Sequence, residues 1–236
     1  MEHPSLQEGI ILNRYKRFFA DVKLADGEQI VAHVPNTGSM KTCWQPGWRA
    51  WVSRSPNPAR KLPWTLELTS PGADHLIMVN TGHANTLAGE ALRAERIPAL
   101  AGYREVLSEQ KALDSRFDFL LRGHATLPDC WVEVKNVTLA ESPPLATFPD
   151  AVSERGRKHL HDLTRLRAQG ARAAMLYVVS RSDVTSFAPA AHIDPAYALA
   201  LADARRAGVE VYCYQVDFSE PGHWRLAHAL PVEALT

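Results

Sequence analysis

Arg-Phe-Asp-Phe-Leu-Leu at residues 116–121 and Cys-Trp-Val-Glu-Val-Lys-Asn-Val-Thr at 130–138 read as two β-strands separated by the loop Arg122 to Asp129. Side chains alternate faces along a strand, which puts Arg116, Asp118 and Leu120 on one side and Phe117, Phe119 and Leu121, turned to the core, on the other. In the second strand Trp131, Glu133, Lys135 and Val137 share a face, with Val132 and Val134 opposite. If the two strands pair, Asp118, Glu133 and Lys135 converge on one patch. Two carboxylates suit a hard divalent cation such as Mg²⁺ with water positions left open, and a nearby ammonium can position or activate an attacking water. That chemistry serves phosphodiester hydrolysis. The same spacing also arises as a surface Asp beside a cross-strand Glu and Lys worth roughly a few tenths of a kcal/mol, so the surroundings must decide.

Downstream, the spacing predicts a helix from about Ser153 to Ala168, closed by Gly170. Arg155, Lys158, His159 and Asp162 fall within an arc of about 100° on it, with Leu160 and Leu163 on another side. A basic face could therefore look onto the acidic patch, or simply be solvated. His159 and His161 lack a usual helical metal spacing and are not assigned as ligands. The apolar run Ala171 to Ser180, a helix near Ala196 to Ala207 stopped by Gly208, and a strand from Val209 to Asp217 follow. Upstream, Asn85 to Glu95 reads as a helix and Glu105 to Glu109 as a strand. The order α-β-β-β-α-β, with an added helix and strand, describes a mixed sheet flanked by helices. Glu90 and Glu105 could each add a carboxylate to the metal site, though each type is more often a surface charge.

Before about residue 70 the pattern is different. Phe19 to Leu24 and Gln29 to Val34 flank the turn Ala25-Asp26-Gly27-Glu28 as a hairpin, and Ala50 to Ser53 and Trp64 to Leu68 supply further strands. No helix is expected there. The chain is thus an α/β, two-domain protein: a small N-terminal β-barrel over 1–80 and an α/β domain over 81–236, with the boundary near 70 to 84. Net charge is zero, yet residues 11–64 hold nine Lys/Arg against three Asp/Glu. Arg14, Lys16, Arg17, Arg54, Arg60 and Lys61 alternate with Tyr15, Phe18, Trp51 and Trp64, a mixture suited to phosphate contacts and base stacking, although most of these aromatics are expected in the barrel core. Asn36-Thr37-Gly38-Ser39 reads foremost as a turn.

No apolar run approaches the ~20 residues a membrane span needs, and Met1 to Ile10 lacks the basic start and apolar stretch of a leader. A membrane partner is not expected, and the expected location is the cytoplasm. Cys43, Cys130 and Cys213 are odd in number, far apart and without a C-x-x-C pair, so reduced, structural thiols are expected.

Six ordered blocks carry a resemblance over nearly the whole chain: R-Y-K-R-F from Arg14, P-N-T-G-S-M from Pro35, N-P-x-R-K from Asn57, R-F-D-F-L-L from Arg116, V-E-V-K-N-V-T-L from Val132 and F-P-D-A-V-S-E-R-G-R-K-H-L from Phe148. In these the sequence resembles the sugar fermentation stimulation protein A family. The resemblance implies an OB-like N-terminal barrel and a C-terminal domain of the PD-(D/E)xK nuclease fold, DNA binding without sequence preference, and a link to regulation of sugar, notably maltose, catabolism. It also implies Asp118 and Glu133 as ligands of Mg²⁺ or Mn²⁺, Lys135 as the motif lysine, and Glu90 as the helix carboxylate of some such nucleases. Thr42 and Thr86 depart from the family pattern, where Gly and a basic residue are expected. Three readings follow. The protein is a metal-dependent nuclease on DNA or RNA whose basic residues, with Arg155 and Lys158, hold the backbone; a non-enzymatic DNA-binding regulator with a remnant site; or a phosphoesterase for a small metabolite.

Overall fold

The computed structural model describes residues 5–220 and 223–233. Residues 1–4 of the stretch read for a leader lie outside them. The first unit is built from β1 (Leu6–Tyr15), β2 (Phe19–Leu24), β3 (Gln29–His33), β4 (Arg49–Arg54), β5 (Trp64–Gly72) and β6 (His75–Met78). The ladder runs β3-β2-β1-β4-β5-β6, and parallel pairing of Ala32 with Trp64 and His33 with Thr65 joins β3 to β5 and closes the barrel. Alternation drives it: Ala20, Val22 and Leu24 of β2 and Ile30 and Ala32 of β3 point inward onto Ile11, Val52, Leu66 and Cys43. β1, which the turn signals do not announce, pairs antiparallel with both β2 and β4. At its crossing with β2 a Cβ on Gly9 would sit 2.6 Å from the Lys23 carbonyl oxygen, so the strands can approach only at a glycine.

The second unit begins with α1 (Gly82–Arg93), then β7 (Glu105–Ala112), β8 (Ser115–Arg122), β9 (Cys130–Val137), β10 (Leu139–Ser142), β11 (Leu145–Phe148), α2 (Glu154–Ala168), β12 (Arg172–Val179), β13 (Ser186–Pro189), α3 (Pro195–Arg206), β14 (Glu210–Glu220) and β15 (His223–Ala229). Its main sheet has the order β15-β14-β12-β9-β8-β7, with β9, β12 and β14 parallel and the outer strands antiparallel. β12 is covered on both faces, which is why it reads as an unbroken apolar run. On one side Leu87, Ala88, Ala91 and Leu92 of α1 pack on Phe119, Val132, Leu176 and Val178. On the other, Leu160 and Leu163 of α2 and Leu201 of α3 pack on Phe117, Met175 and Tyr177. The Ser153 hydroxyl caps α2 by accepting from Gly156 N at 3.1 Å, and Asp194 caps α3 by accepting from Tyr197 N at 2.9 Å. A short third sheet, β10-β11-β13, contributes Ala140, Ala146 and Phe187 to the core on the α2 and α3 side.

The two units are locked by polar contacts. Arg181 is 2% exposed; its guanidinium pairs with both Asp183 oxygens at 2.6 Å and donates to the Thr138 carbonyl at 2.7 Å and the Thr42 hydroxyl at 3.0 Å. The Thr42 hydroxyl also accepts from Ala140 N at 3.1 Å, so this threonine helps join barrel to sheet. Met78 N donates to Ser180 O, Ser182 N donates to Leu76 O, and Asp150 accepts from Ser39 N at 3.1 Å. Among the described residues no helix is long and apolar enough to cross a membrane.

Candidate metal and nucleic-acid site

The expected strand alternation fails at the residue that matters most. Phe119 lies against Gly89 of α1, whereas Phe117 packs on Trp131 and His159 on the opposite face, with ring centroids 5.7 and 6.0 Å away. Phe117 and Phe119 therefore do not share a face, contrary to the simple period of two. Two features accompany the distortion: on β7 the residue opposite Asp118, Glu109, has a left-handed φ of 56°, and β8–β9 pairing reaches only from Leu121 to Phe119. Beyond Phe119 the strands part, and the Asp118 carboxylate takes the place of the ladder by accepting from Val134 N at 2.7 Å. Its other oxygen accepts from the Asn85 amide of α1 at 2.6 Å.

Glu133 is 3% exposed, on the α2 side of β9. Oε1 accepts from Lys135 Nζ at 2.5 Å and also pairs with His159 Nδ1, while Oε2 is buried without a hydrogen-bond partner. Since Oε1 accepts from Nδ1, that nitrogen carries a proton. Lys135, 3.3 Å from the same nitrogen, is therefore a co-donor to Glu133 rather than a donor to the ring. Burial disfavours the Glu133 anion, but the His159 hydrogen bond and the Lys135 charge outweigh it and hold the carboxyl below its ordinary range. Asp118 moves the other way: burial pushes it up, and the neighbouring Glu133 charge adds to this against the Val134 and Asn85 hydrogen bonds. Two carboxylates that repel one another, one with an orphaned buried oxygen, form a donor set suited to a small hard dication. The cleft holding them, about 410 Å³, is lined also by Phe148, Asp150, Val152 and Arg155.

Asp118, Glu133, Lys135 and Arg155 thus come together. Glu90 does not: it lies five residues, some 140° around the helix, from Asn85, which is the α1 residue that reaches Asp118, and it does not line the cleft. Glu105 is exposed beside Arg122 at 3.8 Å. Among the described residues no three His, Cys, Asp or Glu side chains group as a metal cluster. Lys158 is engaged internally, donating to Asp114 O, the Ser115 hydroxyl and Asp162 at 2.5, 2.9 and 3.0 Å. Asn85, His159 and Asp150 were not assigned from sequence. His159 lies on the basic arc without a metal spacing, and its contact is with the Glu133 carboxylate. Nothing in the spacing marks Asn85.

On the barrel, Lys16 and Arg17 occupy left-handed positions, φ 48° and 65°, at the β1–β2 tip and are exposed with Phe18, which is 44% exposed. Arg54 is exposed with its guanidinium over Trp64 at 5.5 Å, and Arg60 and Lys61 are exposed in the following loop. Trp64 belongs to the core, Trp51 packs against the α1-side core, and Tyr15 stacks on Phe19. Arg14 is half-buried, its guanidinium donating to the carbonyls of Arg17, Asn36 and Gly38 at 2.9, 3.0 and 3.3 Å, so it braces the tip against the 36–38 loop.

Barrel, mixed sheet and cleft together define a two-domain protein with an OB-type unit joined to an α/β unit that carries an Asp…Glu-x-Lys site. The model "SfsA N-terminal OB domain" matches residues 12–79, and "Sugar fermentation stimulation protein RE domain" matches residues 82–222. The chain belongs to the sugar fermentation stimulation protein family. It is 50% identical over 231 residues to the sugar fermentation stimulation protein homolog of Shewanella baltica (strain OS155), covering 97% of each chain. It is 47% identical to the homolog of Chromohalobacter salexigens, covering 98% of this chain and 94% of that one. It superposes with a TM-score of 0.86 and 25% identity on Pyrococcus furiosus SfsA, solved in complex with Ca²⁺, covering 99% of this chain and 98% of that one.

Proposed function

We propose that the protein binds nucleic acid, foremost DNA, and hydrolyses its phosphodiester bonds at the Asp118–Glu133–Lys135 cleft with Mg²⁺ or Mn²⁺, as a PD-(D/E)xK-type nuclease. The observation that carries this reading is the Glu133 carboxylate: one oxygen is saturated by Lys135 and His159, the other is buried and unpartnered beside Asp118. Glu133 Oε2 and Asp118 would hold the cation. A divalent ion bound there supplies charge to offset the phosphate and lowers the pKa of water. Lys135 adds a fixed positive charge where charge develops, and Arg155 at the rim meets the backbone. That the relative from Pyrococcus furiosus was solved with Ca²⁺ supports a divalent site in this chain too. Any effect on sugar metabolism would then be exercised through nucleic acid.

Cleavage of labelled single- and double-stranded DNA and RNA with Mg²⁺, Mn²⁺ or chelator tests the activity directly. Substrate left intact under every metal condition would reduce the protein to a binder. Calorimetry separates the metal from the chemistry: Asp118→Asn should weaken Mn²⁺ binding roughly tenfold or more. Equal affinity would take Asp118 out of the site.

Binding should be largely electrostatic, through the exposed Lys16, Arg17, Arg54, Arg60 and Lys61. The logarithm of the association constant should fall linearly with the logarithm of salt, by about 0.9 per duplex phosphate contacted. Lys16→Ala/Arg17→Ala should flatten that slope. An unaltered slope would move the interface off the barrel tip.

A further inference from the structure

We propose that the cavity at the joint of barrel and sheet is a nucleoside pocket, taking the base and sugar that adjoin the phosphate in the acidic cleft. The placement beside the cleft rests on the function proposed above; the pocket itself does not. It measures about 240 Å³ and is lined by Asn36 and Gly38 from the barrel, Thr81 before α1, and Asn136, Phe148 and Asp150 from the α/β unit. Phe148 and Asp150 also line the acidic cleft, so the two cavities are neighbours with a common wall.

The chemistry of the lining selects the ligand. Asn36 Oδ1 accepts from Gly38 N at 2.9 Å and Asn136 Oδ1 accepts from the Ser180 hydroxyl at 2.5 Å, so what each has left to offer is its NH₂. Two amide donors call for an acceptor-rich partner. No Lys or Arg lines the cavity and its one charged residue is Asp150, so a phosphate is disfavoured and a neutral ring bearing carbonyl oxygens or ring nitrogens fits. Phe148 supplies the apolar surface. Its ring is pinned by Tyr177 and Tyr197, with centroids 5.8 and 5.3 Å away, which makes it a rigid platform on which a base can stack. Asp150 is placed to accept from a sugar hydroxyl or an exocyclic amine. Thr147, another lining residue, has a buried hydroxyl oxygen with no partner in the protein. A base lodged here is unpaired, so the site selects single strands, ends or flipped nucleotides over intact duplex.

The test uses the ¹⁵N-labelled full chain in EDTA, where metal chemistry plays no part. Thymidine, deoxycytidine, deoxyadenosine and deoxyguanosine are titrated separately, with inorganic phosphate alongside. At least one nucleoside should give saturable shifts at the amides of 36–38 and 136–150, and phosphate none. Thr37→Trp, at an exposed lining position, should fill the cavity and abolish them. Asn136→Asp keeps the acceptor for Ser180 but loses the donor, and should weaken binding at least tenfold while distant resonances stay in place. No saturable shifts from any nucleoside, the same shifts from phosphate, or wild-type affinity in both variants would overturn the pocket. A protein that binds nucleosides here yet cleaves nothing would defeat the nuclease reading and leave this one standing.

Discussion

Lys135→Ala should lose cleavage by roughly 10² to 10³-fold while its affinity for DNA changes little. The Lys135 side chain is 15% exposed and its ammonium lies 2.5 Å from Glu133 Oε1, thus fixed before any substrate arrives. A fixed charge stabilises developing negative charge more than it stabilises the bound ground state, so its removal is read in turnover rather than in binding. The variant keeps the His159 partner of Glu133, so the carboxylate is not left without a donor. A thermal melt with and without Mn²⁺ checks the fold. Full cleavage by a folded Lys135→Ala protein, freed of contaminating nuclease, would end the proposed role. Equal inactivity of wild type and variant, with a salt slope reduced by about one contact, would instead mark a protein that only binds.

Arg181→Ala should be the most destabilising single substitution outside the site. It leaves the Asp183 carboxylate, 9% exposed, without its cation and removes the shortest of the hydrogen bonds to the Thr138 carbonyl, 2.7 Å. Breaking one side of a buried pair costs about 3–5 kcal/mol, and for a chain of this size that lowers Tm by roughly 10 °C. The pH dependence fixes the mechanism. Burial pushes Asp183 up, but the Arg181 hydrogen bonds and charge prevail and hold it below its ordinary value. A lowered carboxylate pKa contributes stability above the unfolded value, about 3.9, which is lost as pH falls through the folded one. The Tm difference between wild type and Arg181→Ala should therefore shrink as pH drops below about 4. Arg181→Met/Asp183→Leu, which removes both charges, should recover much of the loss. A pH-independent gap would place the effect in packing alone.

Both pairs of residues show what a sequence does and does not carry. The three helices and the strands β8, β9, β12 and β14 were legible because each has a period, an apolar face or a glycine stop of its own. β1 was not: Gly9-Ile10-Ile11-Leu12 is apolar on both faces, with Ile10 and Leu12 each 37% exposed, so no alternation declares it. β6, β10, β11 and β13 are four residues each, too short for a period to show. At the site, Asp118, Glu133 and Lys135 could be listed from spacing, but the regular alternation of β8 breaks at Asp118, opposite a left-handed Glu109 on another strand, and no period in the sequence announces that. Asn85 and His159 meet the carboxylates only through helix packing, and Arg181, a charged residue in the core, would have been placed on the surface by composition.

Each of the three apolar cores holds one cysteine: Cys43 in the barrel, Cys130 on the α1 side of the sheet and Cys213 on the α2 side. Burial raises all three thiols, Cys130 to about 12, so in the folded protein none offers a reactive thiolate at neutral pH. Alkylating reagents must then wait for the surrounding layer to open. Single-cysteine variants would turn the chain into three independent clocks, each timing the exposure of one core, and a barrel clock that runs in step with the other two would mean that the halves unfold as one.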